Sequence, residues 1–185
     1  MKKSKVLFIV LSLICICITI CSIIFGCYLF KNSELIFDND RKVSDYFFEN
    51  LTEAIETENK EQLISLLSKN TVKEVDTIFE DIDELFEYFD GDIESYVDWL
   101  GGPYVETSKE GDNVLQEMQS TYDIKTSKGN YRLAISYVTK DTKNADNIGI
   151  HSLYVIKLED DDKSEFAYWG DSKFTLGIHI GVKNI

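Results

Sequence analysis

His151 and His179 are the only imidazoles in the chain. Each sits among alternating apolar residues, and their spacing is not that of a paired metal motif. A histidine hydrogen-bonded to an interior aspartate would act as a general base for hydrolysis or isomerisation. That makes an enzyme one reading. The plainer one is a strand histidine whose ring is solvated or already hydrogen-bonded. No serine stands in a nucleophile-elbow context, and no glycine-rich phosphate loop is present. Glu159-Asp160-Asp161-Asp162 gathers carboxylates without the alternating ligands and glycine of an EF-hand loop, and reads as a solvated hairpin tip. Neither a metal nor a cofactor is expected.

The remaining candidates bind rather than react. Trp99 and Tyr104 flank Gly101-Gly102-Pro103, and Trp169 closes an apolar stretch ahead of Gly170. Aromatic side chains at loop mouths either form a binding surface or pack the edge of a core. Together with His151 these three make the candidate ligand or partner surface. Asp76, Glu80, Asp83, Glu84 and Glu87, with Glu74 and Asp81, surround one apolar helical stripe. They read either as a solvated face or as a docking face for a basic partner. Like-charged pairs such as Asp76–Glu80, Glu80–Glu84 and Asp83–Glu87 cost only a few tenths of a kcal/mol each.

Such residues need elements to hold them. Residues 1–30 are unlike the rest. Lys2, Lys3 and Lys5 precede an uncharged run of 25 residues from Val6 to Phe30, and a bilayer core needs about 20 helical residues. The lysines put the N-terminus in the cytoplasm and the rest of the chain outside. A single-pass anchor in a bacterial cytoplasmic membrane is therefore expected. Ile24-Phe25-Gly26-Cys27 offers an alternative, a lipoprotein signal lipidated at Cys27 on the outer face. Cys15, Cys17, Cys21 and Cys27 are the four cysteines, so nothing beyond the anchor can be stapled by a disulfide. In residues 38–185 there are 15 basic and 32 acidic residues, a net of −17. Phosphate contacts need a basic patch, so nucleic acid is disfavoured and basic partners are favoured.

Residues 31–42 read as a polar linker and 43–185 as one domain. Three helical segments come first. Ser44 caps the first, which carries Phe47, Leu51, Ala54 and Ile55. Asn59 and Gln62 are a capping pair for a second carrying Leu63, Leu66 and Leu67. Val75, Ile78, Phe79, Ile82, Leu85, Phe86 and Phe89 form the stripe of the third, ending at Gly91. The period then changes to two. Ile93 to Trp99 is a strand, and Gly101 opens a long loop to about Asn113. Met118, Tyr122 and Ile124 lie on the next strand, and Tyr131, Leu133, Ile135 and Tyr137 on its return across a turn at Ser127–Asn130. A fourth strand carries Ile148 to Leu158 and, with Leu153 and Val155 on its other side, is buried on both faces. Phe166 and Tyr168 follow, and a last strand holds Phe174, Leu176, Ile178, Ile180 and Val182. Helices followed by antiparallel strands give an α+β class: three helices on a curved, mostly antiparallel sheet, with ligands entering an opening at one end.

The pattern resembles the cone-shaped, cystatin-like superfamily named after nuclear transport factor two, which includes the SnoaL group. Within it, residues 44–182 look like a bacterial family of secreted or lipoprotein domains of unknown function. The resemblance rests on Ala54 to Ser68, Ile82 to Gly91 with Ser95-Tyr96, Tyr131-Arg132-Leu133, Gly149-Ile150 with Ser152-Leu153, and Tyr168-Trp169 with Gly177-Ile178. It implies a cone fold and carries no catalytic residue. The expected function is a membrane-tethered, non-catalytic binding domain for a basic protein or small molecule. The alternatives are an immunity protein against a secreted bacterial toxin and a SnoaL-like enzyme using His151 or His179.

Overall fold

The structure is a computed structural model that describes residues 39–161 and 175–181. The chain divides into two units at Asp40/Arg41. The anchor expected at 1–30, with Cys27, and Phe166, Tyr168, Trp169, Phe174 and Val182 lie outside the described residues. No described helix is long and apolar enough to cross a membrane.

The first helix, α1, covers 39–56 among the described residues. It begins before Ser44, so that serine is not its cap. Ser44 is buried inside α1 with its hydroxyl turned to the sheet. Phe48, Leu51, Ala54 and Ile55 bury the core stripe. Glu58 turns the chain with a positive φ of 50°. Asn59 then caps α2 (Lys60–Leu66) by accepting from the Gln62 N–H at 3.0 Å, and the Gln62 amide accepts from the Asn59 side chain.

Among the described residues of the domain, four α-helices form rather than three. Leu67 is extended, and Ser68 caps a separate helix, α3 (Lys69–Glu74), by accepting from the Thr71 N–H. The break has a tertiary cause. The Ser68 N–H donates to the Ile150 carbonyl at 2.9 Å, drawing the α2–α3 junction onto the sheet. Gly149 allows this approach. Its φ is +123°, and a Cβ there would stand 2.8 Å from the Ser68 nitrogen. Val75 becomes the extended C-cap of α3, and α4 (Ile78–Tyr88) starts three residues later than its apolar stripe.

One mixed sheet follows. Its strands are β1 (Ile93–Asp98), β2 (Tyr104–Glu110), β3 (Asn113–Thr126), β4 (Asn130–Asp141), β5 (Gly149–Lys157) and β6 (Gly177–Ile180). The order is β1-β3-β4-β5-β6, with β2 also on β3. The expected loop from Gly101 to Asn113 is therefore mostly strand. Its Val-Glu-Thr-Ser-Lys run has no apolar alternation because Val105 is the one β2 residue that is even half-buried. β3 is long enough to hold two partners end to end on one edge. Tyr122 faces Asp98, and Gln119 faces Tyr104. The last strand, β6, runs parallel to β5. Register shifts in β1/β3, β3/β4 and β4/β5 mark bulges, which bend strands locally.

The helices pack on one face of this sheet. That face presents Met118, Tyr122, Ile124, Tyr131, Leu133, Ile135, Tyr137, Ile150, Leu153 and Val155 to α1, α2 and α4. β5 is buried on both faces, as its sequence implies.

Candidate binding surfaces

The interior under α1 is filled. Phe48 stacks on Tyr122 with ring centroids 3.9 Å apart, and Phe47 lies 4.5 Å from Tyr137. The polar atoms there satisfy one another. The Ser44 hydroxyl bonds Tyr122 Oη at 2.5 Å and Ser120 Oγ at 2.7 Å, and Ser120 bonds Tyr137 Oη at 3.0 Å. Burial holds the Tyr122 phenol protonated far above its ordinary range. A row of mutually bonded hydroxyls fixes α1 on the sheet.

Neither histidine joins that row. His151 Nε2 is 2.7 Å from the Asn147 carbonyl, and His179 Nε2 is 2.9 Å from the Thr175 carbonyl. The His179 ring stacks on Tyr154, with centroids 4.4 Å apart. Both rings donate to backbone carbonyls, and neither bonds a carboxylate among the described residues. His151 lies on β5 and so does not share the β1–β2 junction with Trp99 and Tyr104.

Trp99 and Tyr104 do come together. Trp99 continues the β1 register by donating its N–H to the Thr121 carbonyl, and Tyr104 is opposite Gln119. Partners in an antiparallel ladder share a face, so both rings project from the side of the sheet away from the helices. With Val97 and Leu100 they are 54–66% exposed. They make one apolar patch at the β1–β2 junction.

What holds Trp99 was not foreseen from sequence. The Arg132 guanidinium lies 4.2 Å from the Trp99 ring centroid. Arg132 is buried and donates a two-pronged bond to Asp123, at 2.6 and 2.9 Å, and a third bond to Asp161 at 2.7 Å. Those carboxylates push its pKa further up. A fork of this kind fixes the guanidinium plane, and the plane in turn seats the indole. The signal was present in the sequence. Folding the hairpin about its turn pairs Lys125 with Asn130 and so sets Asp123 opposite Arg132.

A second clamp lies at the same junction. Arg41 reaches from α1 to the Asp98 carboxylate at 3.3 Å and to the Gly101 carbonyl at 2.6 Å. The glycine-rich corner is thereby tied to the first residues of the domain.

The acidic helix has the opposite character. At 100° per residue, Glu80, Asp83, Glu84 and Glu87 fall on one face of α4, and Ile78, Ile82 and Leu85 fall on the other. All four acids are exposed, and Phe79 beside them is 48% exposed. Asp76 is exposed too, but it precedes the helix, so no helical i,i+4 pair links it to Glu80. Lys60 bridges Asp83 at 2.6 Å. Glu80 and Glu87 make no ion pair among the described residues, and the last turn holds no basic side chain. α4 packs against β6, four strand positions from β1. The aromatic patch and the acidic face thus lie at opposite ends of the sheet, roughly 19 Å apart across the strands.

No group of three or more His, Cys, Asp or Glu placed to hold a metal is found among the described residues. No curated protein matches the chain. A family model for a domain of unknown function, DUF5104, matches residues 50–158. The match runs from the middle of α1 to the end of β5. It takes in the acidic helix, the aromatic junction and the Asp123–Arg132 pair. By this match the chain belongs to the DUF5104 family.

Proposed function

We propose that the chain is a non-catalytic binding module, held on the outer face of a bacterial membrane by its N-terminal segment, with α4 as the surface that captures a basic protein. The observation that carries this is the α4 face itself. Four exposed carboxylates are aligned opposite the buried stripe, an exposed phenylalanine lies beside them, and no cation stands in the last turn. Glu87, in the last turn and without an ion pair among the described residues, works against the helix dipole, so stability alone does not select it. A row of negative charge does speed the encounter with a positively charged partner. The filled interior and the backbone-bound histidines favour binding over turnover. The cone architecture of the nuclear transport factor two superfamily is part of the same proposal. It accords with helices on one face of a bulged sheet.

Affinity capture tests it. The full chain in vesicles is offered extracts and culture supernatant of the source organism, beside a variant carrying Glu80→Gln, Asp83→Asn, Glu84→Gln and Glu87→Gln. A basic protein retained by the natural chain and lost both from the variant and at high salt is the expected result. Equal retention by both chains, or turnover of a small substrate that needs His151 or His179, would show the proposal to be wrong.

A further inference from the structure

The aromatic patch lies where the chain enters the domain. Arg41 follows the unit boundary directly, and it bonds the Asp98 carboxylate and the Gly101 carbonyl inside the patch. Eleven residue steps separate Arg41 from Phe30, the end of the apolar run. Fully extended, they span at most roughly 38 Å. This surface is in direct contact with Arg41, one of the first residues of α1, eleven steps from the end of the apolar run.

The chemistry of the patch fits one kind of neighbour. Tryptophan and tyrosine favour the boundary between headgroups and acyl chains, where an apolar ring and a polar edge are both satisfied. Val97 and Leu100 add aliphatic surface. Two of the charges that would oppose such contact are offset locally, Asp98 by Arg41 and Asp123 by Arg132, while Glu106 and Glu117 lie exposed further along β2 and β3 on the same face. The acidic face of α4 is at the far end of the sheet, packed over β6.

We propose that Val97, Trp99, Leu100 and Tyr104 dock on the lipid–water interface of the membrane that carries the anchor. This rests on the anchored reading of residues 1–30. A free domain with a net charge of −17 in residues 38–185 is repelled by anionic lipid, and four side chains do not overcome that alone. Tethering changes the balance. It makes contact intramolecular, with an effective concentration in the millimolar range for a short linker, so a weak interaction suffices. Docking by the β1–β2 edge turns α4 away from the bilayer, toward a partner arriving from outside. It also gives salt an unusual direction. Screening relieves the repulsion between the acidic domain and anionic headgroups, so docking strengthens as salt rises.

Tryptophan fluorescence reads this directly, because the anchor contains no tryptophan and Trp99 and Trp169 are the two in the chain. The full chain is placed in vesicles of phosphatidylcholine and phosphatidylglycerol, with plain or brominated acyl chains. The Trp169→Phe variant isolates Trp99. The difference between the natural chain and Trp99→Phe gives the same signal should Trp169→Phe not fold. Expected are a blue-shifted Trp99 emission, its loss to brominated chains, a larger loss at higher salt, and no loss in Leu100→Asp with Tyr104→Asp. Flotation separates the two readings. A chain that floats with the vesicles while Trp99 stays unquenched overturns the docking and spares the anchor. A chain that does not float overturns both. An emission change that follows the protein-to-lipid ratio, with no response to bromine, assigns the patch to a second copy of the chain and overturns lipid docking. Quenching that disappears when a captured protein is added assigns it to that protein, with the same consequence.

Discussion

The guanidinium of Arg132 is enclosed by two carboxylates and an indole, and its surroundings show how a buried charge shapes an exposed surface. Removing it leaves Asp123 and Asp161 facing each other across the strand without a cation. Arg132→Met is expected to cost about 3 kcal/mol, the range for breaking one side of a buried pair. The cost would appear as a lower urea midpoint at unchanged m. Arg132→Lys keeps the charge without the planar fork and should recover only part of that loss. In both variants Trp99 loses its seat, so its emission should shift to the red. Tyr122 gives a prediction in pH. Its folded pKa is raised above the ordinary value of 10.0 by burial. Above pH 10 the unfolded chain therefore releases this proton while the folded one retains it. The stabilisation is complete below pH 10 and declines as pH climbs past it, by about 1.4 kcal/mol per unit for one group. Tyr122→Phe should flatten the alkaline limb of a stability-versus-pH curve. At this scale the sequence named Trp99 and Tyr104 and missed Arg132. Aromatic side chains beside a glycine-rich corner are conspicuous, whereas an arginine in a strand shows its partner only once the hairpin register is drawn.

Among the elements, the α2–α3 junction is the place where periodicity misled. Leu63, Leu66 and Leu67 continue a helical pattern, yet the helix stops at Leu66 because Ser68 bonds the Ile150 carbonyl. Gly149→Ala places a methyl 2.8 Å from the Ser68 nitrogen in a backbone region that favours glycine. A loss of about 2–3 kcal/mol is expected, read as a drop in thermal midpoint. Should the junction merely drift aside at no cost, the midpoint would not move, and the contact would not be what ends α2. The strand β2 escaped notice for a different reason. A strand with Val105 as its one half-buried residue has no apolar alternation, and its existence depends on the long β3 beside it. The hairpin of β3 and β4 and the capping pair at Asn59 and Gln62 were legible, because each is fixed by residues close in sequence, whereas the cap expected at Gly91 is instead an extended Phe89, and Gly91 is required by the approach of Ser127 and Lys128.

For the whole molecule, the proposed tether makes a prediction of location. Deleting residues 1–30 should move the chain from the membrane fraction to the soluble one, and an intact chain that stays soluble would refute the anchor. Cys27→Ser distinguishes the kind of anchor, since loss of an incorporated radioactive fatty acid would assign lipidation to Cys27 over an uncleaved span. Composition and local pattern were enough for the α+β class, the two-sided burial of β5, the acidic charge of the domain and the confinement of cysteine to the first 30 residues. Those properties are set by composition and by local periods of 3.6 and 2 residues, which the chain carries whatever its tertiary contacts. Only the tertiary structure decided that β6 runs parallel to β5, that β1 and β2 share one edge of β3, and that Arg132 seats Trp99. It alone set the aromatic junction and the acidic helix at opposite ends of one sheet. Each of these depends on which distant segments meet, and the contacts that select among such pairings are backbone hydrogen bonds and buried charge pairs that leave no period in the sequence.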